Sequence, residues 1–340
     1  MFYQAAKEEN ADGLLRAVAK RGTSKVQAGR NGMKVSVIGM GAVGTEIVGF
    51  LVNMSEVTEI VAVDKVREKA EAELWDFSHT TPFTYAKNPT LVAGGFEETA
   101  GSDIVVITAG AQLQKGQTRD DLVRINSGIL QGLIASVERH SPQGIVINVT
   151  NPVDVMTQVM LRASNYPRER LISAGTLIDT ALFLRILSDH VKIDPKNLYG
   201  YMLGDHGATG FIPWSLCRVC GTEVDTFCRL NGLPPVDREA VRLQTLEAGF
   251  RIFERKGNTN HGIAASVFRI IRAIEGNEQS ILPLGVLLQG EYGVDDLVMS
   301  VPCVVGRGGV ERILCHEFAP EENAAFHESE RHLRDLLALA

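Results

Sequence analysis

The feature that most constrains this chain is a short strand that runs directly into a glycine-rich turn. Residues 33–38 read MKVSVI, and GMGAVG follows at once, with glycines at positions 39, 41 and 44. Gly39 permits a tight turn, Gly41 lets the backbone approach a pyrophosphate, and Gly44 lets the next helix pack closely on the strand. That helix presents free N–H groups and the positive end of its dipole to phosphate oxygens. The pattern predicts a Rossmann-type dinucleotide-binding unit.

The next strand ends in an acidic residue that fits the same unit. Residues 60–63 read IVAV, and Asp64 follows them, about twenty residues after the turn. A carboxylate at this position can hydrogen-bond both ribose hydroxyls, and it repels a 2′-phosphate. We therefore expect the cofactor to be NAD rather than NADP. A glycine turn that serves packing alone is the competing interpretation. The order of strand, turn, helix, strand and acidic residue argues against it.

The composition is that of an ordinary globular protein. The chain has 340 residues, of which 45% are hydrophobic and 22% are charged, which suffices for one large α/β unit or two domains. A net charge of −7 without a long basic run argues against nucleic-acid binding. No apolar run reaches the roughly 18 residues of a membrane span, and the N-terminus lacks a signal-like stretch. We expect a cytoplasmic protein without a membrane partner.

The cysteines fit the same compartment. There are five of them, an odd number scattered along the chain, as in proteins of a reducing cytoplasm. Cys217 and Cys220 form a CxxC pair, but no second pair and no nearby histidine cluster completes a zinc site. We therefore expect this stretch to be ordinary core and to bind no metal.

Strands and helices alternate from residue 33 to about residue 150, which predicts a parallel, doubly wound α/β sheet. Beyond residue 170 helices mix with short strands, which predicts a second α+β lobe. The predicted strands are 33–38, 60–63, 103–108, 144–149, 199–203, 281–288 and 300–305, and the predicted helices are 42–54, 66–77, 121–140, 179–190, 236–256, 261–275 and one from Pro320 onward. We expect an N-terminal extension (1–31), an NAD-binding Rossmann domain (32–172) and a substrate and catalytic domain (173–340).

Polar motifs follow the predicted strands, where an open α/β sheet binds its ligands. Thr108-Ala109-Gly110 leads into a polar loop over 112–119, where a lid belongs, and Thr150–Asp154 ends the next strand. Further on, GDHG places His206 between small residues, so that its ring can project into a cleft. A distant aspartate could fix the tautomer of this ring and make a general acid–base pair. A structural histidine is the alternative, and Asp179 in GTLID could simply cap its helix.

The order and residues of these motifs resemble those of the L-lactate/malate dehydrogenase family from about Met33 to the C-terminal helix. The motifs are GMGAVG, ITAGA, GQTR, TNPVD, GTLID, GDHG and GEYGVDDLVMSVPCVVGRGGV. The resemblance implies a hydride exchange between NAD and a carbinol carbon, with a 2-hydroxy acid and a 2-oxo acid as the usual pair. It also implies a homodimer or homotetramer.

The resemblance implies roles for individual positions. His206 corresponds to the catalytic acid–base, Asp179 to its orienting partner, and Arg119 to the loop residue that closes over the substrate and polarises its carbonyl. The implied cofactor-binding residues are Gly39, Gly41, Ala42, Val43, Gly44, Asp64, Thr108, Ala109, Gly110, Asn126 and Asn151. The implied substrate pocket contains Leu113, Asn151, Leu182, Gly249 and Thr259.

Two positions depart from the pattern of the family. Leu182 stands where the family places an arginine that forks onto the substrate carboxylate, and Leu113 stands where a glutamine or arginine selects the substrate side chain. Arg185 lies one helical turn further on and about 60° around the axis, so we do not expect it to replace the arginine. Asn258, Asn260 and His261 either supply polar contacts to the pocket or form a solvated helix start.

Burial of a carboxylate against Leu182 without a partner would cost several kcal/mol. The sequence therefore favours an NAD-dependent oxidoreductase whose substrate lacks the usual α-carboxylate. One alternative is an L-2-hydroxy acid dehydrogenase for a bulky apolar 2-oxo acid, in which Arg185 or another cation binds the carboxylate. A non-catalytic NAD-binding protein is the other alternative, and the joint presence of His206, Asp179 and Arg119 argues against it.

Overall fold

The structure is a computed structural model that describes residues 32–111 and 119–340, with the side chains of residues 119 and 120 left out. The predicted N-terminal extension, residues 1–31, lies outside the described residues. So do residues 112–118, which include Leu113 of the predicted lid.

The first half of the described chain is a parallel α/β sheet. Its strands and helices are β1 (Lys34–Ile38), α1 (Ala42–Met54), β2 (Glu59–Val63), α2 (Arg67–Ser78), β3 (Thr90–Gly94), β4 (Ile104–Ile107), α3 (Arg119–His140), β5 (Ile145–Asn148), α4 (Val153–Arg162) and β6 (Leu171–Ser173). The strand order is β3-β2-β1-β4-β5-β6, and every pairing among them is parallel. This order is that of a doubly wound dinucleotide-binding sheet, so the predicted fold class is confirmed.

The second half extends the same sheet and adds a smaller one. Its elements are α5 (Leu177–Val191), β7 (Leu198–Tyr199), β8 (Arg218–Val219), β9 (Thr222–Glu223), α6 (Val224–Leu230), α7 (Arg238–Lys256), α8 (His261–Glu275), β10 (Ser280–Gln289), β11 (Asp295–Gly306), β12 (Gly309–Ile313) and α9 (Pro320–Leu337). Antiparallel strands β10, β11 and β12 continue the sheet to nine strands, and β7, β8 and β9 form a separate antiparallel sheet. Strand β10 joins β6 through the pair Gly285 and Ser173.

Two apolar cores hold these elements together. The larger core surrounds the nine-stranded sheet, against which α1 packs Ile47, Val48 and Leu51 at helical spacing. The smaller core lies against α5 and contains Phe183 and Leu187. Cys217 is buried in this smaller core, as expected for the CxxC stretch, whereas Cys220 is exposed at a positive φ of 50°.

Some short elements differ from the sequence-based prediction. The prediction missed β3, β6, β8, β9, β12, α4 and α6. It was wrong about a strand over 199–203, of which β7 keeps only Tyr199. Leu203 makes only an isolated bridge to Phe211, because Gly204 turns the chain at a φ of 89°. The domain division between residues 172 and 173 falls within β6 and stays a prediction.

Candidate active site

The turn between β1 and α1 has the shape that a pyrophosphate site requires. Gly39 adopts a φ of 104°, and a Cβ on Gly44 would overlap the carbonyl oxygen of Gly39. A Cβ on Gly41 would meet nothing within 4 Å, so open space lies next to the first turn of α1. Gly41 has no side chain to cap the first N–H groups of this helix, which stay available to an anion.

The carboxylate of Asp64 is fixed beside this turn. One oxygen accepts a hydrogen bond from the backbone N–H of Met40 at 2.7 Å, and the other accepts from the N–H of Val66 at 2.9 Å. Each oxygen keeps a lone pair for a ribose hydroxyl. The residues present therefore fit NAD: an open helix N-terminus for the phosphates and a positioned carboxylate for the ribose.

The ends of β4 and β5 meet the same turn. Thr108 donates from its hydroxyl to the carbonyl of Gly39 at 2.7 Å, and Thr150 donates to the carbonyl of Ala109 at 2.8 Å. Asn126 accepts from the N–H of Ala111 and donates to the carbonyl of Asn151, both at 2.8 Å. These contacts bring most of the predicted cofactor-binding residues together, in a group that we call the cofactor edge (Gly39–Gly44, Asp64, Thr108–Gly110, Asn126 and Asn151).

The segment Thr150–Asp154 links the cofactor edge to the predicted acid–base residue. Asn148 shapes this segment, because its amide nitrogen donates to the carbonyls of Thr150 and Val153 at 3.3 and 3.0 Å. At its far end, Asp154 accepts a hydrogen bond from the backbone N–H of His206 at 3.4 Å. One short piece of chain therefore sets the distance between the cofactor edge and His206.

His206 and Asp179 form a hydrogen-bonded pair. Nδ1 of His206 lies 2.6 Å from a carboxylate oxygen of Asp179, in the first turn of α5. The Asp179 carboxylate raises the pKa of His206 to about 9, with burial opposing the shift and the nearby Asp154 and Asp205 adding to it. Because Nδ1 faces Asp179, the opposite ring nitrogen, Nε2, is the one available to a substrate oxygen. Such a pair can give a proton to a carbonyl oxygen or take one from a hydroxyl.

Two half-buried apolar side chains lie near Asp179 along α5. Leu182 follows Asp179 at a spacing that puts both on one helix face, and it is half-buried. Ile178 is half-buried too, and its side chain occupies the space that a Cβ on Gly262 would take. Arg185 is different: its side chain is 66% exposed and pairs with Asp189 at 2.9 Å. We call Ile178, Leu182 and residues 258–262 the substrate end.

The remaining predicted pocket residues are less tightly placed. Thr259 is exposed between α7 and α8, and Gly249 lies inside α7. His261 contacts Glu46 of α1 at 2.9 Å, so the start of α8 reaches the helix that follows the glycine turn. Arg119 is the first residue of α3, and its side chain lies outside the described part.

Three further polar residues, to which the sequence analysis gave no role, lie behind His206: Asp154 and Asp205 next to it, and Ser173 bonded to Asp154. Asp154, Ser173 and Asp205 are all buried there. Two of them lie in motifs that the sequence analysis singled out: Asp154 ends TNPVD, and Asp205 precedes the histidine of GDHG. In the part of the chain that the structure describes, no group of three or more His, Cys, Asp or Glu side chains could hold a metal ion. In the same part, every helix is too short or too polar to cross a membrane.

Two family models match almost the whole described chain. The model for the NAD binding domain of lactate/malate dehydrogenase matches residues 33–173, and the model for the alpha/beta C-terminal domain of the same enzymes matches residues 176–339. The chain belongs to the lactate/malate dehydrogenase family. It is thus an NAD-dependent oxidoreductase, and the cofactor expected from Asp64 and the glycine turn is confirmed.

Relatives within the lactate/malate dehydrogenase family are similar over most of their length. An L-lactate dehydrogenase of Acetivibrio thermocellus is 37% identical over 306 residues, which cover 89% of this chain and 96% of the relative. An L-lactate dehydrogenase of Moorella thermoacetica is 37% identical over 310 residues, or 90% of this chain and 96% of the relative. The crystal structure of the minor L-lactate dehydrogenase of Enterococcus mundtii superimposes with a TM-score of 0.87 at 32% identity, covering 90% of this chain and 98% of that one.

Proposed function

We propose that this protein is an L-2-hydroxy acid dehydrogenase, which interconverts a 2-hydroxy acid and a 2-oxo acid that carry a bulky apolar side chain. The observation that carries the proposal is the His206–Asp179 pair, tied through Thr150–Asp154 to the cofactor edge. Similarity to proteins named L-lactate dehydrogenase supports the choice of a 2-hydroxy acid.

In this proposal His206 moves the proton and Asp179 supports it. During reduction the protonated ring of His206 gives its Nε2 proton to the carbonyl oxygen, and during oxidation the neutral ring takes the hydroxyl proton. Asp179 holds the ring by Nδ1 and stabilises its protonated form. Arg119 polarises the carbonyl, a role assigned from its place in the sequence. The cofactor edge would hold NAD, which would supply the hydride exchange with the substrate carbon.

The apolar side chain is inferred from the substrate end. Leu182 and Ile178 present apolar surface next to Asp179, and neither joins the two apolar cores of the described residues. Leu113 adds a third apolar residue from the sequence. Arg185 is exposed and paired with Asp189, so a cation other than Arg185 must hold the carboxylate in this proposal.

The same observation favours a second candidate, the oxidoreductase for a substrate without an α-carboxylate. An isolated carboxylate against Leu182 would cost several kcal/mol, whereas a neutral ketone or alcohol would meet apolar surface at no such cost. The two candidates share the acid–base pair and the cofactor. They differ in the charge of the group that lies beside α5.

Subsidiary proposals concern the setting of the enzyme. We propose that it works in the cytoplasm as a homodimer or homotetramer, and that residues 32–172 and 173–340 are its NAD-binding and substrate domains. Size-exclusion chromatography with light scattering tests the assembly, and a monomer at micromolar concentration would refute it.

Matched substrate pairs separate the two candidates. Each pair consists of a 2-oxo acid and the 2-oxo amide with the same side chain, and kcat/KM is measured from NADH oxidation. For a branched apolar side chain we expect the acid to exceed the amide by about tenfold or more, and to exceed pyruvate and oxaloacetate by a similar factor. A preference for the amide would select the second candidate. Tight NADH binding without turnover of any compound would leave a non-catalytic NAD-binding protein.

A further inference from the structure

The carboxyl group of Asp154 lies in a closed polar site behind His206. Asp154 is 2% exposed, and one of its oxygens accepts a hydrogen bond from the hydroxyl of Ser173 at 2.8 Å. The other oxygen faces the backbone N–H of His206 at 3.4 Å. A Cβ on Gly285 of β10 would overlap both Ser173 and Asp154, so only glycine leaves room for the carboxyl group. The site is thus built from α4, β6, β10 and the loop that carries His206.

Several charged groups face His206 around this site. Asp179 contacts the ring from α5, Asp154 approaches the backbone from α4, and Asp205 precedes it in the loop. From α9, His332 lies 3.8 Å from Asp205. Asp205 is buried and also accepts from the hydroxyl of Thr209 at 3.0 Å.

The hydrogen bonds of Asp154 do not by themselves explain a carboxyl group at this position. An asparagine could accept from the N–H of His206 with its oxygen and donate from its nitrogen to the hydroxyl of Ser173. A buried charge is costly, and burial together with the charge of Asp205 raises the pKa of Asp154 to about 7. The neutral amide would therefore serve a purely structural purpose better, so the charge itself requires another reason.

We infer that Asp154 is a positioning residue for the proton transfer: it fixes the backbone of the His206 loop, and its negative charge stabilises the protonated imidazole. The inference deepens the proposed function and rests on it for the role of His206. Asp179 then fixes the ring from the side of Nδ1, while Asp154 fixes the loop from behind. Ser173 holds Asp154 in place by its hydroxyl.

The direct test is a titration of His206 by NMR in the full-length protein without substrate. The resonance is assigned from its absence in His206→Asn, and its midpoint is compared between wild type and Asp154→Asn. We expect a midpoint about one pH unit lower in Asp154→Asn, because a nearby negative charge has been removed. The matched control is Glu322→Gln, which neutralises another buried carboxylate, one that accepts from the N–H of Ser215. The control should leave the midpoint unchanged.

The kinetic test follows the alkaline limb of kcat/KM for carbonyl reduction, which requires the protonated ring. In Asp154→Asn this limb should move to lower pH by the same amount, while the Kd of NADH stays within about twofold of wild type. An unchanged midpoint, even with a lower Tm, would show a structural role only and overturn the inference. If Asp154→Asn does not fold, Ser173→Ala provides the same test. We expect the His206 midpoint to fall in this variant too, by a smaller amount, and an unchanged midpoint would overturn the inference. Because the titration needs no substrate, a chain that reduces no carbonyl compound would refute the proposed function and leave this test intact.

Discussion

At the cofactor edge, hydrogen bonds join side chains to main-chain atoms, whereas the substrate end combines two apolar side chains of α5 with residues 258–262. The carbonyls of Gly39 and Asn151 each accept a hydrogen bond from a side chain of the edge, and the carbonyl of Ala109 accepts one from Thr150 next to it. At the other end, Leu182 and Ile178 lie on α5 as half-buried apolar side chains. A change of a polar side chain at the first end therefore removes a hydrogen bond to the backbone, whereas a change of Leu182 or Ile178 removes none.

This difference explains how one fold can keep its chemistry while its substrate changes. The glycine turn, Asp64 and the His206–Asp179 pair are held by hydrogen bonds that few other residues could make. Position 182 carries no such constraint, because a helix surface accepts leucine or arginine at almost equal intrinsic cost. Four predictions test whether the two ends respond as independently as this comparison implies.

The largest effect is expected for His206→Asn. Turnover should fall by about 10³-fold, because the acid–base group is lost, while the Kd of NADH stays near that of wild type. Steady-state NADH oxidation and fluorescence titration measure the two quantities. A variant that kept most of the wild-type rate would contradict the assignment, and a variant that lost NADH binding would show that the two ends are not separate.

The substrate end is tested by Leu182→Arg. A guanidinium at this place offers two charge-assisted hydrogen bonds to a carboxylate, so kcat/KM for pyruvate should rise by about 10²-fold and that for a neutral carbonyl compound should fall. The control is Arg185→Leu, which removes an exposed arginine paired with Asp189 and should change little. Loss of 2-oxo acid turnover in the control would show instead that Arg185 binds the carboxylate.

The cofactor edge is tested by Gly44→Ala. The new Cβ would overlap the carbonyl oxygen of Gly39, so we expect the free energy of unfolding to fall by about 1–3 kcal/mol and the Kd of NADH to rise by about tenfold or more. Gly41→Ala is the matched control, because a Cβ there meets nothing within 4 Å. It should leave stability unchanged and weaken NADH binding alone. Equal stability losses in both variants would contradict the close packing of α1 on β1.

The smallest effect concerns the choice between the two cofactors. Asp64→Asn removes the charge that repels a 2′-phosphate, so the ratio of the NADPH and NADH dissociation constants should fall by about tenfold. Glu68→Gln, an exposed acidic residue in the first turn of α2, controls for a general loss of negative charge. Equal affinity of the wild type for both cofactors would be the contrary result.

The elements that the sequence predicts best are those with a strong local pattern. Strands β1 and β2, helix α1 and the glycine turn follow from residues that are close together in the chain. Helix α4 was missed because Val153–Met160 is buried on every side, so no polar face marks its period. Strand β6 has only three residues. Strand β3 is as long as β1, but only its last residue is fully buried, so neither strand shows a clear pattern.

The site follows the same rule. The family motifs point to His206 and Asp179, although these residues are 27 positions apart, because several motifs occur together in the order that is typical of the family. The role of Asp154 depends on Ser173 and on the loop of His206, which lie 19 and 52 positions away in the chain. No local sequence pattern indicates that these residues are in contact in the fold, so the closed polar site behind His206 could not be predicted.

The pairing of β10 with β6 at Gly285 has a practical consequence for protein engineering. Every replacement of Gly285 would displace Ser173 or Asp154, and with them the loop of His206. In a saturation-mutagenesis screen this glycine would therefore score like a residue that binds substrate, although it lies on the sheet. A library for altered substrate preference should leave Gly285 fixed and place its diversity at Ile178 and Leu182, where α5 can accept it.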